Sequence, residues 1–161
     1  MQEILVASPA EDQLVDAVLS ASRVLVAIAA RSLADVGEEV TLTQYRSLVV
    51  LASRGPQGVA ALADAVSVTP PTASRMCDRL VKKGLVTRRA DRRDRRQVRI
   101  ALSPAGRRLV DAVTARRRQE IEQLVASIPE GSRGGVVAAL RHLSETAGEV
   151  PEQDWSTGWD L

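Results

Sequence analysis

TPPTASRMCDRLVKKGLVTRRADRRDRRQVRIALSPAG, residues 69–106, carries the start and stop signals that decide how this chain folds. Thr69 can cap a helix, with Pro70 and Pro71 in its first turn, where a missing N–H costs little because first-turn donors have no intrahelical partner. Ala73, Met76, Cys77 and Leu80 then recur at three- and four-residue spacing and face a core, while Ser74, Arg75, Asp78 and Arg79 stay on the other side. Gly84 stops the helix after Lys82 and Lys83. Beyond it, Val86-Thr87-Arg88 and residues 98–102 alternate as two strands around an Arg/Asp-rich loop, with Val98, Ile100 and Leu102 as the inward row. Ser103-Pro104 repeats the cap-and-proline start and opens a long helix.

Working upstream, residues 59–66 form a short helix separated from the one at Thr69 only by Ser67-Val68. Before it, Thr41 or Thr43 caps a helix carrying Tyr45, Leu48, Val49 and Leu51 and ended by Arg54-Gly55-Pro56. A first helix is expected from Glu11 to about Leu33, with Leu14, Val18, Ala21, Leu25 and Ile28 on a stripe broad enough for either core or a partner surface. Downstream, Leu109, Val110, Val113, Ile121, Leu124 and Val125 give the long helix its apolar face, and Pro129 closes it. A last helix is expected over 135–146, with Val136, Val137, Leu140 and Leu143 apolar, before a polar tail containing Trp155 and Trp159. The fold class is therefore mainly α with a small β-hairpin, in one unit spanning 1–161.

Composition narrows the function. A chain of 161 residues with 45% hydrophobic content can build one core without metal or disulfide staples. Phe is absent and Tyr45, Trp155 and Trp159 are the only aromatic residues, so that core consists of aliphatic side chains on closely packed helices. Residues 75–99 hold eleven Lys or Arg against three Asp, a local charge of +8 on a chain whose total is +2. A basic segment on an otherwise acidic chain suits a surface that meets a polyanion. No apolar stretch is expected to reach the roughly 20 residues that span a bilayer, and no signal peptide is evident, which places the protein in the cytoplasm with no membrane partner. One Cys, Cys77, and one His, His142, with no glycine-rich phosphate loop, leave no catalytic set, so no enzyme, cofactor or metal is expected. Asp91 and Asp94 are hemmed in by arginines, which disfavours a cation there.

Two short helices joined by a tight turn and followed by a basic hairpin combine a rod for the major groove with a projection for phosphates or the minor groove. At Leu62-Ala63, at 73–80 (ASRMCDRL), at Gly84-Leu85-Val86, at 91–96 (DRRDRR) and at 102–106 (LSPAG), the sequence resembles the MarR family of winged helix-turn-helix regulators. The likeness follows element order over about residues 11–148. It implies a winged-helix DNA-binding lobe over 41–102 and dimerisation helices over 11–34 and 104–148, in a homodimer bound to an inverted-repeat operator in double-stranded DNA. It also implies a recognition role for Thr72, Ser74, Arg75 and Arg79, a wing role for Arg93, Arg95 and Arg96, and arginine-orienting roles for Asp91 and Asp94. Arg92 stands where the family often has proline. The junction holding Thr43, Gln44 and Tyr45 is a candidate site for a small phenolic or lipophilic effector, in keeping with a ligand-responsive repressor. From the residues alone, a redox-responsive regulator acting through Cys77 and a protein-interaction module without DNA readout stay open.

Overall fold

The computed structural model describes residues 8–36, 39–91 and 97–155; Arg92, Arg93, Asp94, Arg95, Arg96 and Trp159 lie outside the described residues. The element order is α1 (Pro9–Asp35), α2 (Leu42–Arg54), α3 (Val59–Ala65), α4 (Pro70–Lys82), β1 (Val86–Ala90), β2 (Val98–Leu102), α5 (Pro104–Val125) and α6 (Glu130–Thr146), followed by a single 3-10 turn, Glu152–Asp154. This is a winged helix-turn-helix lobe flanked by long terminal helices.

Local chemistry sets most of the boundaries. Ser8 and Glu11 form a reciprocal capping box at the start of α1, two residues earlier than the periodicity predicts. Thr41 caps α2 in the same way: its hydroxyl accepts from the Gln44 N–H at 3.2 Å and its own N–H donates to Gln44 Oε1 at 3.0 Å. At the end of α4, Gly84 has φ +70°, the left-handed region that glycine enters without a Cβ penalty. There the Gly84 and Leu85 N–H groups close onto the Val81 and Leu80 carbonyls in a Schellman turn.

The two strands pair antiparallel with Val86 opposite Leu102 and Ala90 opposite Val98. On its other edge β2 exchanges two backbone hydrogen bonds with Gln57, at 3.0 and 2.8 Å, so Ile100 sits centrally and fully buried. Of the inward row read from the sequence, Ile100 is buried and Leu102 half-buried, but Val98 is exposed, because the hairpin there has already left the body of the lobe. The core joins Leu48, Val50 and Leu51 of α2, Leu62 of α3, Leu80 of α4, Val86 and Ile100 of the hairpin, and Val110 and Val113 of α5. Each such side chain contributes about 1.5–3 kcal/mol by leaving water. Ala52, Ala63, Ala73 and Cys77 have no exposed surface, and their small size lets the helices approach closely.

Two further expectations need correction. Helix α6 starts at Glu130, not at Gly135: Pro129 occupies the cap, Glu130 complements the positive end of the helix dipole, and Gly131, Gly134 and Gly135 continue the helix despite their poor propensity. Helix α1 is also more apolar than the reading allowed, since Ala10–Asp35 has the length and mean hydropathy, 1.6, of a membrane-crossing segment. Its carboxy-terminal third is nonetheless part of the fold. Ile28, Ser32 and Leu33 are buried, Arg31 pairs with Glu120 of α5 at 2.8 Å, and Asp35 accepts from Arg116 of α5 at 3.0 Å.

Helix α5 begins against the end of α4. The Ser103 hydroxyl donates to the Gly84 carbonyl at 2.6 Å and accepts from the Gly106 N–H at 3.0 Å, while the Ser103 N–H donates to the Leu85 carbonyl. A Cβ on Gly106 would lie 2.1 Å from the Leu85 carbonyl oxygen and 2.8 Å from a Leu102 methyl, so this position accepts only glycine without backbone movement. Gly106→Ala is expected to lower unfolding stability by about 1–3 kcal/mol, read as a fall in denaturant midpoint at unchanged helix content. An unchanged midpoint would contradict the close approach.

Candidate nucleic-acid interface

Helices α3 and α4 are joined by a turn in which Ser67 adopts φ +55° and the Val68 N–H donates to the Ala63 carbonyl at 3.0 Å. The turn fixes α4 with one side on the core and the other in solvent. Ala73, Met76, Cys77 and Leu80 are buried, as their spacing requires. Thr72, Arg75, Arg79 and Lys82, at spacings of three, four and three, make one exposed line. The Arg79 guanidinium has no hydrogen bond or ion pair among the described residues, and the Arg75 guanidinium donates only to the Pro71 carbonyl one turn back, at 3.3 Å. Lys82 was not singled out by sequence, although its position relative to Thr72 was the available signal.

Ser74 is placed differently from Thr72, Arg75 and Arg79, the other three residues expected to take part in recognition. It is half-buried and lies one turn before Asp78, on the flank that faces the hairpin. There the Asp78 carboxylate pairs with Arg88 of β1, tying the recognition helix to the wing and neutralising one wing arginine. Both side chains are about half exposed, so the pair adds at most about 1 kcal/mol of stability. Its larger effect is on the charge presented outward.

The start of α4 is poorer in backbone donors than a generic helix start. Thr69 is the cap residue, but its hydroxyl pairs with that of Thr72 at 2.9 Å instead of with a backbone N–H, and Pro70 and Pro71 have no N–H. The polar groups here are thus the two threonine hydroxyls and the Thr72 amide, at the positive end of the helix dipole.

At the base of the wing, the Asp91 carboxylate pairs with Arg99, whose guanidinium also donates to the Pro56 carbonyl at 3.3 Å. The Asp91 N–H donates to the Gln97 carbonyl at 2.8 Å, one step beyond the end of β1. Arg89 and Arg99 are directly opposed across the strands, and Arg89 is exposed. Arg93, Asp94, Arg95 and Arg96 fall outside the described residues.

Thr43, Gln44 and Tyr45 are not gathered around one space. Thr43 is exposed, the Gln44 amide serves the cap of α2, and Tyr45 is buried with a hydroxyl that has no partner among the described residues. A cavity of about 470 Å³ opens beside them, between Ala30, Leu33 and Ala34 of α1 and Glu39, Val40, Thr41 and Leu42 leading into α2. Cys77 is fully buried, and burial pushes its thiol pKa up, ahead of an opposing effect of Arg88. Among the described residues no group of three or more His, Cys, Asp or Glu is arranged to hold a metal ion.

This geometry has known counterparts. The MarR family model matches residues 40–98, from the start of α2 into β2. The HTH-type transcriptional repressor NicR of Pseudomonas putida is 31% identical over 108 residues, 67% of this chain and 68% of that protein. The chain belongs to the MarR family. In the crystal structure of RV1404 from Mycobacterium tuberculosis, the similarity is 41% identity with a TM-score of 0.82, covering 91% of this chain and 99% of that one. Bordetella bronchiseptica BpsR, whose DNA binding is regulated by 6-hydroxynicotinic acid, is 25% identical with a TM-score of 0.61, over 82% of this chain and 98% of that one. The protein is thus a DNA-binding transcription regulator of the winged helix-turn-helix type, and not an enzyme.

Asp78 is the one acidic residue on the exposed side of α4. Asp78→Asn is expected to release Arg88 to the DNA, raising affinity for unrelated duplex and steepening the dependence of log K on log salt by about one. A salt titration of both proteins on a nonspecific duplex checks this; identical slopes would mean that Arg88 does not reach phosphate.

Proposed function

We propose that the chain is a ligand-responsive repressor that acts in the cytoplasm as a homodimer on an inverted-repeat operator. The observation that carries the dimer is the apolar surface left open on the terminal helices. Leu14 is 64% exposed, and Leu19 and Val26 of α1, Leu124 of α5, and Val137, Leu140 and Leu143 of α6 are about half exposed. None of the 17 residues of α6 is buried within its own chain. A second copy covering these faces at 11–34 and 104–148 removes that surface from water and leaves two lobes, each 41–102, free to read half-sites about one helical turn apart.

In this reading Thr72, Arg75 and Arg79 enter the major groove, with Ser74 at the edge of the contact. Arg93, Arg95 and Arg96 reach phosphate or the minor groove, with Asp91 and Asp94 holding the wing arginines in place. Effector binding is supported by the cavity at the α1–α2 junction, whose largely apolar lining, with Glu39 and Thr41 as its polar members, suits a phenolic or lipophilic molecule, and by the buried Tyr45 hydroxyl close by in sequence. The regulation of BpsR by a small aromatic acid is a parallel. Full burial of Cys77 and its raised pKa disfavour a thiol sensor, which needs an accessible thiolate.

The test is a footprint on the upstream region of the protein's own gene across a salt series, with sedimentation to measure mass. Dilute protein is expected at two chains; a stable monomer that protects a full operator would refute the dimer. Arg75→Ala is expected to reduce discrimination between the operator and single-base variants by about 1–3 kcal/mol at one position per half-site. Arg95→Ala should instead weaken all duplexes alike and lower the salt slope by about one per lost phosphate contact. Wild-type affinity, preference and slope in both variants would show that the docking is wrong.

A further inference from the structure

The terminal helices and the winged lobe are connected by more than α1 and α5. After α6 the chain turns at Gly148, φ +68°, in a second Schellman turn: the Gly148 N–H donates to the Glu145 carbonyl and the Glu149 N–H to the Ser144 carbonyl, both at 3.0 Å. The reversal sends residues 149–155 away from α6 and onto the lobe. The Gly148 carbonyl accepts from Arg54 at the end of α2, at 3.2 Å. The Glu149 carboxylate meets Arg46 in a two-point pair, Nη1 to Oε1 at 2.8 Å and Nη2 to Oε2 at 2.5 Å. Glu152 lies 3.5 Å from Arg118 of α5, and the Trp155 indole N–H donates to the Val150 carbonyl at 2.9 Å while its ring packs against the lobe core.

Each contact alone is modest, but the set is arranged in series. Arg46 is followed by Ser47, which is fully buried; its hydroxyl donates to the Thr43 carbonyl at 3.0 Å and lies 3.3 Å from Met76 Sδ of α4. Two adjacent residues of α2 therefore hold the tail and touch the recognition helix. A planar guanidinium gripping both oxygens of a carboxylate fixes direction as well as distance, which a single-point contact does not. Hydrogen bonding to Arg46 holds the Glu149 carboxyl below its ordinary pKa, with Arg54 and Arg117 adding favourable charge, so the carboxylate stays ionised at neutral pH. The Arg46 guanidinium is correspondingly raised, with its hydrogen bond to Glu149 as the main cause.

We propose that residues 148–155 are a strap that sets the angle of the winged lobe on the terminal helices, with Arg46 and Glu149 as its latch and as positioning residues for operator binding. The role in DNA spacing rests on the homodimer reading above, because only there does the angle of the lobe become the separation of two recognition helices. With the latch closed, the two lobes match one half-site spacing. With it open, each lobe still reads its half-site, but the pair no longer favours that spacing.

The experiment compares the full-length protein with Glu149→Gln and Glu149→Asp, all carrying Trp159→Phe so that Trp155 alone reports on the strap. Three quantities are read: Trp155 emission, affinity for a single half-site duplex, and affinity for inverted repeats whose spacer is changed by one or two base pairs. Glu149→Gln is expected to shift emission to the red, to leave half-site affinity and dimer mass unchanged, and to weaken binding to the preferred repeat about fivefold while flattening the spacing preference. Glu149→Asp keeps the charge and should retain part of that preference. Red-shifted emission with an unaltered spacing preference would overturn the strap's role and leave the DNA reading standing. Unshifted emission would overturn the latch. A wild-type protein without preference for any inverted repeat would instead refute the operator reading, and the strap's role in spacing with it.

Discussion

The Ser103 hydroxyl, between the Gly84 carbonyl and the Gly106 N–H, and the Leu85 carbonyl, pressed against Gly106, form the joint on which the orientation of the whole lobe depends. Four elements end or begin there: α4 terminates in the Gly84 turn, β1 leaves from it, β2 returns to it, and α5 starts on the Ser103 cap. Backbone groups do most of the joining, so the direction of the recognition helix relative to α5 is set by covalent geometry and a few short hydrogen bonds. Side chains then fill the space behind it. The core is built mostly from Leu, Val, Ile and Ala, with Tyr45 the one buried aromatic side chain among the described residues, so few rigid rings constrain the helix positions, which gives the hydrogen-bonded joint more weight.

On the opposite side of α4 the molecule moderates its own charge. Asp78 with Arg88 and Asp91 with Arg99 withdraw two arginines from the outward field, while Arg75 and Arg79 remain available. Phosphate attraction rises with every free cation whatever the sequence, whereas discrimination between bases depends on a few guanidinium groups in fixed positions. Pairing some arginines internally lowers the first without weakening the second.

The parts of this architecture visible in the sequence are those written locally. Thr69-Pro70-Pro71, Gly84 and Ser103-Pro104 each decide a boundary within three residues, and the periodicity of Ala73, Met76, Cys77 and Leu80 decides a face. The T-x-x-Q pattern of Thr41 and Gln44 is equally local, yet from the sequence Thr41 and Thr43 are alternative caps and Gln44 stays in the candidate ligand trio, where the structure instead uses its amide in the cap. Periodicity could not tell an apolar stripe that is core from one that awaits a partner, so α1 looked uniform although only its last third is enclosed. Gln57 pairs with Ile100 through one residue and leaves no alternation to read, and Arg46 and Glu149 meet across 103 positions of chain. Neither has a sequence signature. The glycines of α6 actively misled, because their cost in a helix is real but smaller than the cooperativity that carries the helix through them.

The paired prolines at the start of α4 bear on the entropy of binding. Both φ angles are fixed by their rings in the unfolded chain as well as the folded one, so the first turn of the recognition helix gives up little freedom on forming. Helix ends normally fray, and a frayed end has to be ordered again when it meets DNA. Here the end that carries Thr69 and Thr72 is stiffened covalently, and that ordering cost is largely met before any contact is made. The same rings deny this end two amide donors, so rigidity is gained in exchange for backbone grip, and under the proposed docking phosphate contact at this point falls to hydroxyls and a single N–H.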